Sequence, residues 1–199
     1  MNRHARRLQF FQSSLLALIV LLPSLAHAHV GIGLTSGWAH GFAHPISGLD
    51  HVCAMVAIGL LAAERGERAV WVVPLTFLTS MAFGALLGMT AVSVPFVEQG
   101  VVMSVLVLGV LVAAAVRLPL VADVVIVMLF AVCHGHVHGT EMTTTALGVA
   151  YGAGFLAGTA LLHAVGIGIA LLPRKIGEVR AARFAGAVIA VCGVYLYLP

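Results

Sequence analysis

CHGHVHGTE, Cys133 to Glu141, closes an apolar run that begins near Leu118, and it places three histidines and a carboxylate within nine residues. An imidazole or carboxylate at membrane depth is costly unless it is paired, ligated or wet, so such a cluster marks a functional site. A second stretch, HPISGLDH from His44 to His51, opens another apolar segment with two histidines and an aspartate. The surrounding chain sets the fold class. Of 199 residues 61% are hydrophobic and 9% charged, with mean hydropathy +1.11, against roughly one-quarter charged in a soluble domain. This composition predicts an all-α polytopic membrane protein.

Moving outward to the N-terminus, residues 1–28 read as a cleavable signal peptide. Arg3, Arg6 and Arg7 form a basic head, Leu15–Leu22 an apolar core, and Ala26-His27-Ala28 a small-residue cleavage site. The mature chain, 29–199, then starts at His29. Six apolar segments follow, near 45–63, 70–90, 98–116, 119–138, 144–172 and 182–198. Each approaches the roughly 20 residues needed to span a bilayer, so one six-helix transmembrane domain is expected. Residues 31–43, Gly-rich with Trp38 and Phe42, read as an interfacial or re-entrant lead-in.

The formal charge of +3 and pI near 9.1 do not indicate a nucleic-acid binder, because no basic run interleaved with aromatics exists. The basic residues follow another rule. Arg65 and Arg68, then Arg117, then Arg174, Lys175, Arg180 and Arg183 all fall in alternate loops. Lys and Arg in short loops stay cytoplasmic, so the mature N-terminus faces the periplasm of a bacterial inner membrane, with lipid around the bundle. Both histidine motifs then lie at the periplasmic ends of the first and fourth spans and can meet. His29 and His40 share that side, while His163 sits alone and deep in the fifth span, where a hydrogen bond to a neighbouring helix is the simpler reading. Glu98 and Asp123, near span ends, read as interfacial and solvated. Cys53, Cys133 and Cys192 lie in separate segments without CxxC spacing and read as small apolar filler.

In the first motif Pro45 suits the first turn of a helix, which puts His44 at the N-cap and sets His44 and His51, seven residues apart, on one face with Asp50 beside them. Asp50 can ligate an ion or hold the ring N–H of a ligating histidine. In the second motif His134, His138 and Glu141 at i, i+4 and i+7 form one helical stripe. His136 points elsewhere unless Gly135 and Gly139 break the helix and turn it inward. The metal-ligand candidates are therefore His44, Asp50, His51, His134, His138 and Glu141, with His29, His40 and His136 as further donors. Imidazole with carboxylate suits Zn, Cu, Ni, Co or Fe and does not choose among them.

These motifs resemble those of the HupE/UreJ family of nickel and cobalt permeases. HPISGLDH fits the family's H-x5-D-H through His44, Asp50 and His51, and CHGHVHGTE fits F-H-G-x-[AV]-H-G-x-E through His134, Gly135, His138, Gly139 and Glu141. Cys133 stands where that family has Phe, adding a soft donor beside the site. The resemblance implies a secondary transporter, not an enzyme, that takes Ni2+ or Co2+ from periplasm to cytoplasm for metalloenzyme maturation proteins, with no tightly bound cofactor. Lys175 is the only lysine and no Walker A motif is present, so the chain does not itself bind ATP through such a loop. The rival reading is an intramembrane zinc hydrolase in which Ser47 or Glu141 assists proton transfer.

Overall fold

The computed structural model describes residues 37–66, 68–141, 146–174 and 180–198. The signal-peptide segment and His29 lie outside them. Seven helices carry the described residues: α1 (Trp38–Ser47), α2 (Leu49–Arg65), α3 (Ala69–Met89), α4 (Val97–Ala113), α5 (Leu120–Glu141), α6 (Ala146–Arg174) and α7 (Ala181–Tyr197). By length and composition, α3, α5 and the Gly148–Pro173 part of α6 can each cross a membrane. The bent pair α1 and α2 makes a fourth crossing if it is one broken span. At 17 residues each, α4 and α7 are apolar but shorter. Trp71, Phe83, Leu129, Val149 and Val191 are all more than half exposed, a display of carbon that a soluble monomer avoids and a lipid-facing surface requires.

The interior is organised around α2, buried almost all round from His51 to Ala63, as expected of a helix apolar on every side. Glycines bring the remaining helices together in tight pairs. Gly84, Gly88, Gly135 and Gly139 put the backbones of α3 and α5 in contact. Gly41, Gly154, Gly59 and Gly166 do the same for α1 and α2 against α6, and Gly109, Gly186 and Gly193 for α4 against α7. At each of these a Cβ would strike the partner's backbone, which is why small residues line the faces of membrane helices.

Three sequence expectations change. The first span, 45–63, is not one helix, because α1 and α2 meet at 87°. Gly48, extended at φ −98°, ψ 128°, ends one helix and begins the next; glycine is among the weakest helix formers. Pro45 accordingly lies inside α1 near its C-terminal end, not in a first turn, and His44 is in the last turn, not at an N-cap. Next, Gly135 and Gly139 do not break α5, which runs unbroken to Glu141; they serve the α3 contact instead. Finally, Asp123 is not solvated. It is fully buried and takes a bidentate pair from Arg65, Nε to Oδ2 at 2.5 Å and Nη2 to Oδ1 at 3.1 Å.

These contacts define two ends. At one, Arg65 of α2 meets Asp123 of α5, and Arg183 Nε of α7 donates to the Ala113 carbonyl of α4 at 3.0 Å. At the other lie the break at Gly48, the start of α2 and the end of α5, where the histidines collect. The cysteine segments, separate in sequence, also meet in one case: Cys53 of α2 and Cys192 of α7 are neighbours where these two helices pack, and both are free thiols.

Candidate metal site

At the histidine end two groups of three donors form, each with its ligand atoms within 4.8 Å of one another: His51, His134 and His138, and His44, His138 and Glu141. His138 belongs to both. The first group is interior, with His51 3% and His134 0% exposed. The second is nearer the surface, with the Glu141 side chain 58% exposed. An ion held at about 2.0–2.1 Å from each nitrogen in a tetrahedral arrangement draws donors to about 3.3 Å from one another, so side-chain adjustments of an ångström or so convert either group into ligands.

Hydrogen bonds prepare the inner group. Ser104 of α4 donates its one hydroxyl proton to the Val101 carbonyl at 2.6 Å. Its oxygen must therefore accept from His134 Nε2–H, 2.9 Å away. That assigns the tautomer: His134 Nδ1 carries the lone pair. Nδ1 of His51, His134 and His138 are all buried with no hydrogen-bond partner among the described residues. A ligating histidine commonly has its second ring nitrogen held by a hydrogen bond, and Ser104 meets this description for His134. Thr159 of α6 lies 3.5 Å from His51 Nε2, a longer version of the same support. Leaving one such buried nitrogen without a partner costs about 1–3 kcal/mol, so three of them on residues of one donor group make it a candidate ligand site.

The helix break accounts for the outer group. Because α1 turns away from α2 at Gly48, His44 and His51 approach His138 from different directions, with ring centroids 5.0 and 5.2 Å from it. Of the nine sequence candidates, five come together: His44, His51, His134, His138 and Glu141. Asp50 is in neither donor group. Its carboxylate folds back over Gly48, where Oδ1 would sit 2.8 Å from a Cβ at that position, and it stays within electrostatic reach of His44 and His138. His40 is exposed on α1, one turn before His44. His136 belongs to neither group and donates its Nε2–H to the Val92 carbonyl, 2.7 Å distant. Cys133 lies against Gly100 of α4 and joins neither group.

Sequence reading missed Ser104, Thr159 and Phe155. The Phe155 ring packs on His138 at 4.6 Å, His51 at 5.1 Å and His44 at 5.7 Å, walling the donors on the α6 side. Tyr151, Phe155 and Thr159 recur at every fourth residue of α6 and are all buried, a stripe that would have singled them out. Nothing in the sequence distinguishes Ser104 from any other small polar residue in a span.

Fold and cluster together define a class: an all-helical protein with apolar, bilayer-length helices and metal-type donors gathered in its interior. The chain belongs to the HupE / UreJ family, whose pattern matches residues 16–196. It is similar to Protein HupE of Rhizobium leguminosarum bv. viciae, 46% identical over 176 residues, which are 88% of this chain and 91% of that protein. No solved structure matches the chain.

Proposed function

We propose that the chain is a secondary permease carrying Ni2+, with Co2+ as the nearest related cargo, from the periplasm to the cytoplasm across the bacterial inner membrane. The observation that carries this reading is the pair of donor groups sharing His138. A fixed structural or catalytic site needs one set of ligands; two overlapping sets at different depths give an ion somewhere to go. In this reading the ion is first held by His44, His138 and Glu141, then exchanges His44 and Glu141 for His51 and His134 without leaving His138. Neutral imidazoles with one carboxylate favour a borderline divalent ion over Ca2+ or Mg2+. His40, and His29 once the signal peptide is removed, are donors for capture outside the first group. Asp50, an acid in the first turn of α2, attracts the cation.

Six crossings, α2 to α7, with α1 lying across the histidine end, would put the basic loops in the cytoplasm. The donors come from helices that belong to different glycine-closed pairs, His44 and His51 from the α1–α2–α6 unit and His134, His138 and Glu141 from the α3–α5 unit. Relative movement of two such units about a central ion is the ordinary way a transporter exposes a site to each side in turn. Metalloenzyme maturation proteins would receive the ion. The hydrolase alternative draws little from the geometry. Ser47 is exposed and donates to the His44 carbonyl at 2.6 Å. A cavity of about 220 Å3 flanks His138, but the histidine is the one polar side chain among the residues lining it.

The test is uptake of radiolabelled nickel by cells expressing the protein, with Co2+, Cu2+ and Zn2+ as competitors. Alanine at His44, His51 or His134 is expected to abolish accumulation at unchanged membrane abundance. Wild-type accumulation in these variants would refute the permease reading.

A further inference from the structure

The α6 stripe that walls the donors does not stop at Thr159. One turn further along lies His163, 1% exposed, so that Tyr151, Phe155, Thr159 and His163 descend one face of the helix over about 18 Å. Tyr151 is beside His44, Phe155 beside His51 and His138, and Thr159 at His51 Nε2. His163 is thus next in order, on the side toward the arginine end. The hydrogen bond to a neighbouring helix that its sequence position suggested is not there: both ring nitrogens are buried with no partner among the described residues. A leucine would fill the space without that cost, so the imidazole needs another explanation.

Its surroundings supply one. The Phe77 ring of α3, fully buried, touches His163 edge-on at 5.3 Å and His134 at 5.8 Å. One aromatic ring thus touches both His163 and a member of the inner donor group. His51 is within electrostatic reach of His163, while Gly59 packs directly against the His163 backbone and joins α2 to α6 at this depth.

We infer that His163 is a third position on the ion's route, used in transit when Phe77 swings aside. Resting on the permease reading, this extends it by one step. The ion leaves His134 and His138, keeps His51 and gains His163, just as it kept His138 in the previous step. At each exchange one imidazole stays bound, so a borderline divalent ion is never without protein donors in the apolar interior. A single imidazole is not a resting site, and His163 therefore contributes to passage and not to equilibrium binding.

The experiment compares wild type, H163L and H163N in two measurements: uptake of radiolabelled Ni2+ in cells, and Co2+ titration of the purified protein, followed by its visible absorption. Both variants are expected to bind Co2+ as the wild type does, with uptake lower by about tenfold or more, equivalent to one decade of rate. Gel filtration and helical circular dichroism show that each variant is folded, the titration shows that its donor groups are intact, and H163N serves if leucine is not accommodated. Wild-type uptake in either variant overturns the inference. Loss of Co2+ binding in a folded variant also overturns it, because His163 would then belong to the resting site. A wild type that neither binds nor transports overturns the permease reading itself, and this position with it.

Discussion

Helices α2 and α5 meet twice. At one end His51 faces His134 and His138, and at the other Arg65 faces Asp123; between these points their backbones do not pack along one another. Both meetings bury polar groups in an apolar bundle, but they settle the cost in opposite ways. The guanidinium and carboxylate satisfy each other through two hydrogen bonds, so that end is complete as the chain folds. The imidazoles leave Nδ1 of three residues without a hydrogen bond among the described residues, with Glu141 Oε2 3.9 Å from that of His138, so that end keeps donor capacity that the fold does not use. Paired polar groups hold a membrane bundle in register, whereas converging unpaired ones mark where it works.

The contrast can be broken most severely at the paired end. Asp123→Ala leaves the Arg65 guanidinium buried alone, which is expected to cost about 3–5 kcal/mol of stability, seen as a large fall in the unfolding midpoint in detergent. Replacing both partners, R65M with D123L, is expected to restore stability to near wild type and to leave Co2+ binding in place. If the double variant lost the metal instead, the two ends would not be separable.

Next in size is the shared donor. His138→Ala removes a ligand from both groups at once, so nickel uptake is expected to fall by more than the 10–100-fold typical of losing an outer partner, at normal membrane abundance on an immunoblot. A related measurement sharpens the idea of an end awaiting its ligand. Ni2+ at about 100 times its dissociation constant is expected to stabilise the wild type by about 2.7 kcal/mol, read as a raised melting temperature, and to do nothing for His138→Ala. Equal shifts in both proteins would place binding elsewhere.

The smallest expected effect is the most specific. Ser104→Ala touches no donor atom but removes the oxygen that holds His134 Nε2–H. Metal affinity is expected to drop by about tenfold or more, measured by Co2+ titration, and Ser104→Thr is expected to recover part of it. An unchanged affinity in the alanine variant would mean that the tautomer is set by something other than this hydroxyl.

How far the site was legible can be judged residue by residue. The stripe of His134, His138 and Glu141 follows from helical spacing alone, because α5 continues without interruption. His44 and His51 each come near the other donors, but not by the expected geometry: a heptad spacing implies one face of one helix, whereas the break at Gly48 sets them on two helices that meet at 87°. Pro45 misled, since a proline signals a helix start only where the preceding residues are not already helical. Asp123 looked interfacial because its partner is 58 residues away in the chain. Ser104 and Thr159 carried no motif, being defined by what they touch.

The sequence by itself determined that the chain is helical and built for lipid, that its basic residues and its histidine motifs fall at opposite ends of the apolar segments, and what kind of ion such donors suit. Those properties are written in composition, helical period and side-chain chemistry, all local. Only the tertiary structure decided which donors come within reach of one another, which tautomer one of them adopts, that His136 turns to the Val92 carbonyl and that His163 follows Thr159 along α6 with both ring nitrogens unpartnered among the described residues. Each of these depends on helices that approach through glycine contacts and on side chains far apart in the chain, and no local pattern encodes such distances.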